Sequence, residues 1–188
     1  MLKKLLNKNI NYLAVGLLAF ALIAVLPQQA SAQKVDSYKI LTVPNEVTKV
    51  GFYPFGGYKV IGEKPVEFSK LNNFTVEFTE RPQKNSDLKL VGAVIITKDK
   101  QSSQIYQFEK LSLSDKTISY KTETIDGIRY EFDGKYLKKG ELVRYNGKKT
   151  VVLSGVLTKF ENDRKAVEKP LSFSFIVWKA PYYSPSKK

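Results

Sequence analysis

Histidine and cysteine are both absent from this chain of 188 residues. Without histidine there can be no Ser-His-Asp triad and no Cys-His pair, and zinc sites of the usual kind lack both of their common ligands. Without cysteine there are no disulfides, which small secreted domains often use to offset a modest core. Calcium loops of the D-x-D-x-D-G kind and glycine-rich phosphate loops are missing too, so no metal or cofactor is expected. Carboxylate or Ser-Lys chemistry remains open, and an enzyme is the third hypothesis for function.

The N-terminal segment has the three parts of a secretory signal peptide. Three lysines precede an apolar run at residues 13–26, and Ala30-Ser31-Ala32 follows as a small-x-small cleavage site. The run is shorter than the roughly 20 residues that a membrane-spanning helix needs. We therefore predict a cleaved signal peptide at residues 1–32 and an exported protein, soluble after cleavage, in the periplasm or outside the cell. An uncleaved N-terminal anchor is the alternative.

The charge balance is strongly basic, with a formal net charge of +13. Removal of residues 1–32 takes away three lysines and no acids, which leaves +10 on the mature chain. Such a charge attracts anionic surfaces, including phospholipid head groups, anionic glycans and acidic proteins. Nucleic acid is not an expected partner of an exported protein. Because the lysines are scattered, a merely solubilising surface is the competing interpretation.

Residues 33–179 show alternation with a period of two rather than a helical period. Phe74, Val76 and Phe78 alternate with polar residues, which is typical of half-buried strands. Clusters of turn-forming residues at 81–87, 98–103 and 161–164 separate such runs. We predict a single all-β domain over residues 33–179, an antiparallel barrel or sandwich of roughly 8–10 strands. Residues 180–188, with two prolines, are predicted to be a flexible tail.

One hairpin can be placed in register from its pattern. A three-residue loop at residues 125–127 would pair Thr124 with Ile128 and Tyr120 with Phe132, so that the apolar residues of both strands share one face. A shift of one residue would turn that set to water, so burial selects this register. Gly127 is then predicted to occupy a left-handed position in the loop.

Two segments are apolar on both sides of the predicted strand. These are residues 88–97 and a long strand predicted from Lys148 to Phe160, after a type I′ turn at Asn146-Gly147 that follows a strand at residues 141–145. A strand that is apolar on both faces lies between layers, under a loop or at an oligomer contact. This observation gives the second functional hypothesis, a structural or accessory subunit of a larger envelope assembly.

An aromatic segment at residues 51–58 is the first candidate site. Its four rings cannot all enter a core from one regular element, because proline and three glycines interrupt them. Aromatic loops of this kind line ligand mouths or close the end of a barrel. We predict a binding site for a small apolar or aromatic ligand, partly exposed at one end of the β structure, with a packed lid as the alternative; its residues are Phe52, Tyr53, Phe55 and Tyr58.

A basic segment, predicted to be a hairpin tip, is the second candidate site. Its cations alternate with tyrosine, and such a pattern suits contact with an anionic lipid or glycan surface. Lysines that protect a strand edge against unwanted pairing are the alternative. The predicted contact residues are Lys135, Lys138, Lys139, Arg144, Tyr145, Lys148 and Lys149.

The leading hypothesis is an exported, non-catalytic binding or carrier module of the cell envelope. It rests on the export signal, the missing catalytic residue types and the aromatic segment on a strand-rich scaffold. Its partner would be a small ligand or an envelope protein complex. The sequence also contains an N-glycosylation sequon, Asn73-Phe74-Thr75.

Overall fold

A computed structural model describes residues 38–80, 86–100 and 102–177 of the chain. The predicted signal peptide and the predicted tail lie outside these residues. All described residues belong to one compact unit. Within them, no helix has the length and the apolar composition to cross a membrane.

The described residues form nine antiparallel strands and two short 3₁₀ helices, so the all-β prediction is confirmed. The helices cover Val66–Phe68 and Leu142–Tyr145. The strands, in chain order, are β1 (Leu41–Val43), β2 (Gly56–Val60), β3 (Leu71–Phe78), β4 (Leu88–Thr97), β5 (Ser103–Leu113), β6 (Thr117–Thr122), β7 (Ile128–Tyr136), β8 (Leu153–Glu161) and β9 (Arg164–Ile176).

Eight of the strands close into a barrel, which decides between the two predicted architectures. Each strand from β2 to β9 pairs with the next, and β9 pairs back to β2 with Gly57 opposite Ile176. β1 lies outside this ring and pairs with the first residues of β4, Leu41 opposite Leu90. Closure removes exposed strand edges, because every barrel strand has a neighbour on both sides.

Aromatic rings fill the interior of the barrel. Phe74 of β3 lies at their centre, with its ring centroid 4.6 Å from that of Tyr58 and 5.2 Å from that of Phe173. Tyr120 and Phe132 complete its surroundings at 5.1 and 5.7 Å. An eight-stranded barrel is just wide enough for side chains to fill it or for one small ligand. Here the rings occupy the middle.

Two glycines on facing strands make room for the ring of Phe132. Gly134 of β7 pairs with Gly155 of β8, and the ring of Phe132 lies against both. A Cβ atom on Gly155 would come within 2.6 Å of Phe132 Cζ. The missing side chains therefore let the ring approach the backbone of the barrel wall, which is a common reason for glycine inside a strand.

The predicted hairpin register between β6 and β7 is confirmed, with Tyr120 opposite Phe132. The predicted loop is wrong in one detail. Ile125, not Thr124, pairs with Ile128 through two hydrogen bonds of 2.9 Å, so the turn has two residues. Asp126 and Gly127 both have positive φ angles, as a type I′ turn requires. The extra residue is taken up as a bulge before Ile125.

The structure also corrects the connection between β7 and β8. Residues 142–145 form a 3₁₀ helix rather than part of a strand, and β8 begins at Leu153 rather than Lys148. Asn146 has φ −54° and ψ 132°, and Gly147 has φ 68°, which are the angles of a type II turn. Within this segment the Asn146 N–H donates to the Val143 carbonyl, and Leu142 is fully buried under the end of the barrel.

Candidate functional site

The aromatic and the basic segments, far apart in the sequence, meet at one end of the barrel. Residues 44–55 connect β1 to β2 and residues 137–152 connect β7 to β8, and both connections lie where β7 and β9 end. The Tyr53 N–H donates to the Gly140 carbonyl at 3.2 Å, and the Leu142 N–H donates to the Tyr53 carbonyl at 3.3 Å. We call the end covered by these two connections the capped end.

Half of the predicted ligand-binding rings belong to the core. Phe52 is 2% exposed and Tyr58 is fully buried. Phe52 packs edge to face on Tyr136, whereas the Tyr58 hydroxyl donates to the Pro54 carbonyl and lies 3.5 Å from the Tyr136 hydroxyl. The prediction that these rings are partly exposed is therefore wrong for Phe52 and Tyr58. They form the packed lid that was the alternative.

Burial also fixes the chemical state of the two facing phenols. It is the main cause that raises the pKa of Tyr58 and of Tyr136 above the usual range. Both side chains are therefore neutral phenols at physiological pH, and they act as hydrogen-bonding packing groups rather than as phenolates.

The other two predicted rings have different surroundings. The Tyr53 side chain is exposed, with 42% of its surface accessible. Phe55 is half-buried and packs on Phe78 with ring centroids 3.9 Å apart. Contact of Tyr53 and Phe55 with a ligand stays a prediction, and of the two only Tyr53 is well placed on the surface.

The predicted basic contact residues lie at the capped end and on the strand that leads to it. They do not form a hairpin tip, because the 3₁₀ helix interrupts the connection. Arg144 is exposed and forms a long ion pair of 3.8 Å with Glu141, and the ammonium of Lys148 lies 6.0 Å from the Tyr145 ring centroid. Exposed pairs of this kind are weak, so the cations remain open to an anionic partner. Lys138 and Tyr145 are half-buried, while the exposed members are Lys135, Lys139, Arg144, Lys148 and Lys149.

Two of the cavities lie on the outer wall rather than inside the barrel. One of about 640 Å³ has charged walls that include Glu109, Lys121 and Glu131. The other, of about 600 Å³, is lined by Val156, Pro170 and neighbouring residues of β6 to β9. None of the four predicted aromatic residues lines either cavity. Val156 is 39% exposed on the outside of β8. The second cavity surrounds it with apolar surface.

The outer face of β3 carries buried polar groups without hydrogen-bond partners. Asn73 is 1% exposed, and neither its Oδ1 nor its Nδ2 has a partner; the Oε1 atom of Glu77 is also buried and unpaired. Burial raises the pKa of the Glu77 carboxyl. Because the Asn73 amide nitrogen is inaccessible, the sequon cannot accept a glycan in the folded protein.

In the described residues, no group of three or more acidic side chains is arranged to hold a metal ion. The nearest contacts of the exposed acids are ion pairs such as Lys159–Glu161 at 2.6 Å and Lys165–Glu168 at 2.6 Å. Exposed pairs of this kind contribute little to the free energy of folding.

Several exposed residues share the capped end with the lysines but are not among the predicted site residues. Lys49 and Val50 belong to the β1–β2 connection, and Leu137 and Val143 lie within the basic segment itself. The apolar residues between the lysines of residues 135–149 were a usable signal. No sequence signal places Lys49 and Val50 there, because their connection is held at the capped end by tertiary contacts such as that between Tyr53 and Gly140.

Comparison with known proteins found no matching family model, no matching curated protein and no matching solved structure.

Proposed function

We propose that this protein is an exported, non-catalytic binding module of the cell envelope that acts through its capped end. The meeting of the aromatic and basic segments on one face is the observation that carries the proposal. Export is inferred from the signal-peptide pattern of residues 1–32. The ring-filled interior favours binding at the surface over carriage of a ligand inside the barrel.

The capped end is a suitable binding face because its base is rigid and its rim is charged. Phe52 and Leu142 are buried beneath it, and hydrogen bonds hold the two connections together. A preorganised face loses little conformational freedom when it binds. Its exposed cations supply long-range attraction to anionic groups of the envelope.

A matched pair of charge reversals on the mature chain (residues 33–188) tests this proposal. The capped-end variant carries Lys139→Glu, Lys148→Glu and Lys149→Glu. The opposite-end variant carries Lys70→Glu, Lys98→Glu and Lys100→Glu, and so has the same net charge. All six lysines are exposed. Heparin serves as the anionic probe, and the salt concentration that elutes each variant from a heparin column is measured.

We expect the capped-end variant to elute at clearly lower salt than the opposite-end variant, because contact is local even though attraction is long-range. Equal elution of the two variants would remove the proposal, since the charge would then act only as a diffuse field. Circular dichroism of both variants checks that they keep the strand-rich spectrum.

A second function, an accessory subunit of a larger envelope assembly, is supported by the outer wall at Val156. This residue is exposed beside an apolar cavity that Leu137 and Pro170 also line. Apolar patches on a soluble domain often mark protein interfaces. Native mass spectrometry of the protein purified from its own host would show a co-purifying protein that is lost in Val156→Lys; a protein-free monomer would exclude this function.

A further inference from the structure

The connections at the two ends of the barrel differ in charge. The two connections of the capped end contain six basic and two acidic residues, while the four connections at the opposite end, 61–70, 98–102, 123–127 and 162–163, contain four basic and six acidic residues. The remaining connections, 79–87 and 114–116, have equal numbers of each sign. Such a separation of charge orients the molecule in an electric field. The capped end would therefore turn toward an anionic surface.

Exposed apolar side chains are concentrated at the same end. The described part of the chain has eight large apolar residues with exposed side chains, and five of them lie there. Single exposed apolar residues are ordinary, but five at one end, between cations, form a mixed surface. They are Val50 (65% exposed), Tyr53 (42%), Leu137 (54%), Val143 (52%) and Val177 (48%).

Contacts below this surface hold its apolar side chains in place. The Leu137 N–H donates to the Val152 carbonyl at 2.8 Å, and the Val177 N–H donates to the Asn146 side-chain oxygen at 2.8 Å. Val143 follows the fully buried Leu142 directly. The backbone of these residues is therefore held in place by the fold while their side chains remain exposed.

The combination distinguishes two kinds of anionic partner. A soluble polyanion such as a glycan binds the cations, but it makes few favourable contacts with Val143 or Leu137. An anionic bilayer binds both the cations and the apolar side chains. Its head groups attract the lysines, and the boundary with the acyl chains accepts apolar side chains. Tyr53 suits such a boundary as well, since tyrosine has an apolar body and a polar tip.

We infer that the capped end docks on the surface of a bilayer rich in anionic lipid, with its apolar side chains in the head-group region and its lysines on the phosphates. The inference rests on the proposed function and names the partner of that face. Each basic residue near an anionic bilayer contributes roughly fivefold to the partition coefficient, about 1 kcal/mol. Burial of the apolar side chains adds a component that salt does not screen.

The test uses the mature protein and sedimentation with vesicles of phosphatidylcholine alone or with about a third of phosphatidylglycerol. One variant carries Leu137→Ser and Val143→Ser, which leaves the charge unchanged, and the control carries Val66→Ser, an 80% exposed residue at the opposite end. The capped-end lysine triple described above is measured in parallel. Each is compared in low salt and in salt high enough to shorten the Debye length to a few ångströms.

We expect binding only to the anionic vesicles, a loss of more than about 100-fold in the lysine triple, and a remainder that survives high salt. In the double serine variant, the vesicle binding that survives high salt should fall about tenfold, while the salt concentration of heparin elution stays the same. Val66→Ser should change neither the vesicle binding nor the heparin elution. Vesicle binding that high salt abolishes fully, with no effect of the serine changes, would overturn the inference and point to an anionic polymer, and the proposed function would survive. If the lysine triple affects neither heparin nor vesicles, both fail.

Discussion

Phe52 and Tyr136 pack edge to face, with their ring centroids 4.8 Å apart. Phe52 belongs to the connection between β1 and β2, and Tyr136 is the last residue of β7. Their contact fixes that connection to the barrel wall. The rings beneath the capped end therefore serve stability, while Tyr53, the next residue after Phe52, stays exposed.

Truncation of Phe52 should separate packing from binding. Because the ring is buried, Phe52→Ala is expected to lower the free energy of unfolding by about 3–5 kcal/mol. Tyr53→Ala, one residue away and exposed, should change it by less than about 1 kcal/mol, since Tyr53 uses its backbone to hold Gly140 and Leu142. Urea unfolding of both variants measures the difference. Similar losses for the two would contradict the division between lid and surface.

A methyl group at Gly155 should damage the barrel wall. Its Cβ would collide with the Asp133 carbonyl oxygen and come within 2.5 Å of the Gly134 Cα. Backbone cannot move aside as a flexible side chain can, so we expect Gly155→Ala to cost about 3 kcal/mol. Ser154→Ala, on the adjacent half-buried position, serves as the control and should be nearly neutral. Thermal melting of both shows whether the close approach constrains the fold; an unchanged melting temperature for Gly155→Ala would refute it.

Replacement of Asn73 by leucine should stabilise the protein. Both polar atoms of the Asn73 side chain are buried without a partner, and an unpaired buried polar group costs about 1–3 kcal/mol. Leucine keeps the branching at the γ-carbon and has no hydrogen-bonding requirement, although its side chain is larger. Asn72→Leu, at the neighbouring half-buried position, should gain less. A loss of stability in Asn73→Leu, measured by urea unfolding, would mean that the amide has a stabilising role.

Replacement of Glu77 by glutamine should stabilise the protein in a way that depends on pH. Burial raises its pKa in the folded state above the unfolded value of about 4.3, so the folded state favours the protonated form. The associated stability is present below the unfolded pKa and is lost as the pH rises through the folded pKa. Glu77→Gln, which mimics the protonated form, should therefore be more stable than the natural protein at pH 7 and equal to it near pH 3.

Urea unfolding at several pH values measures this difference. Glu80→Gln, at an exposed position that pairs with Lys89, controls for the change in net charge. A gain for Glu77→Gln that does not depend on pH would exclude titration of this carboxyl as its cause.

Local pattern was enough for most of the strands and for the register of one hairpin outside its turn. Alternation along β6 and β7 fixed Tyr120 opposite Phe132, because any shift would have exposed the apolar face to water. The cluster of turn-forming residues at 161–164 predicted the turn there, where Asn162 and Asp163 have positive φ angles. Composition alone limited the chemistry, since absent residue types cannot be restored by folding.

Only the tertiary structure decided how the strands close and which segments meet. The pairing of Gly57 with Ile176 joins residues that are far apart along the chain, and no local pattern encodes it. The same closure buried Phe52 and Tyr58, although their segment looks like an exposed aromatic loop. Leu142 is buried as well, in a helical turn where the sequence suggested a strand, and Tyr53 lies against Gly140. Burial depends on what covers a residue, and for these residues the covering elements come from distant parts of the chain.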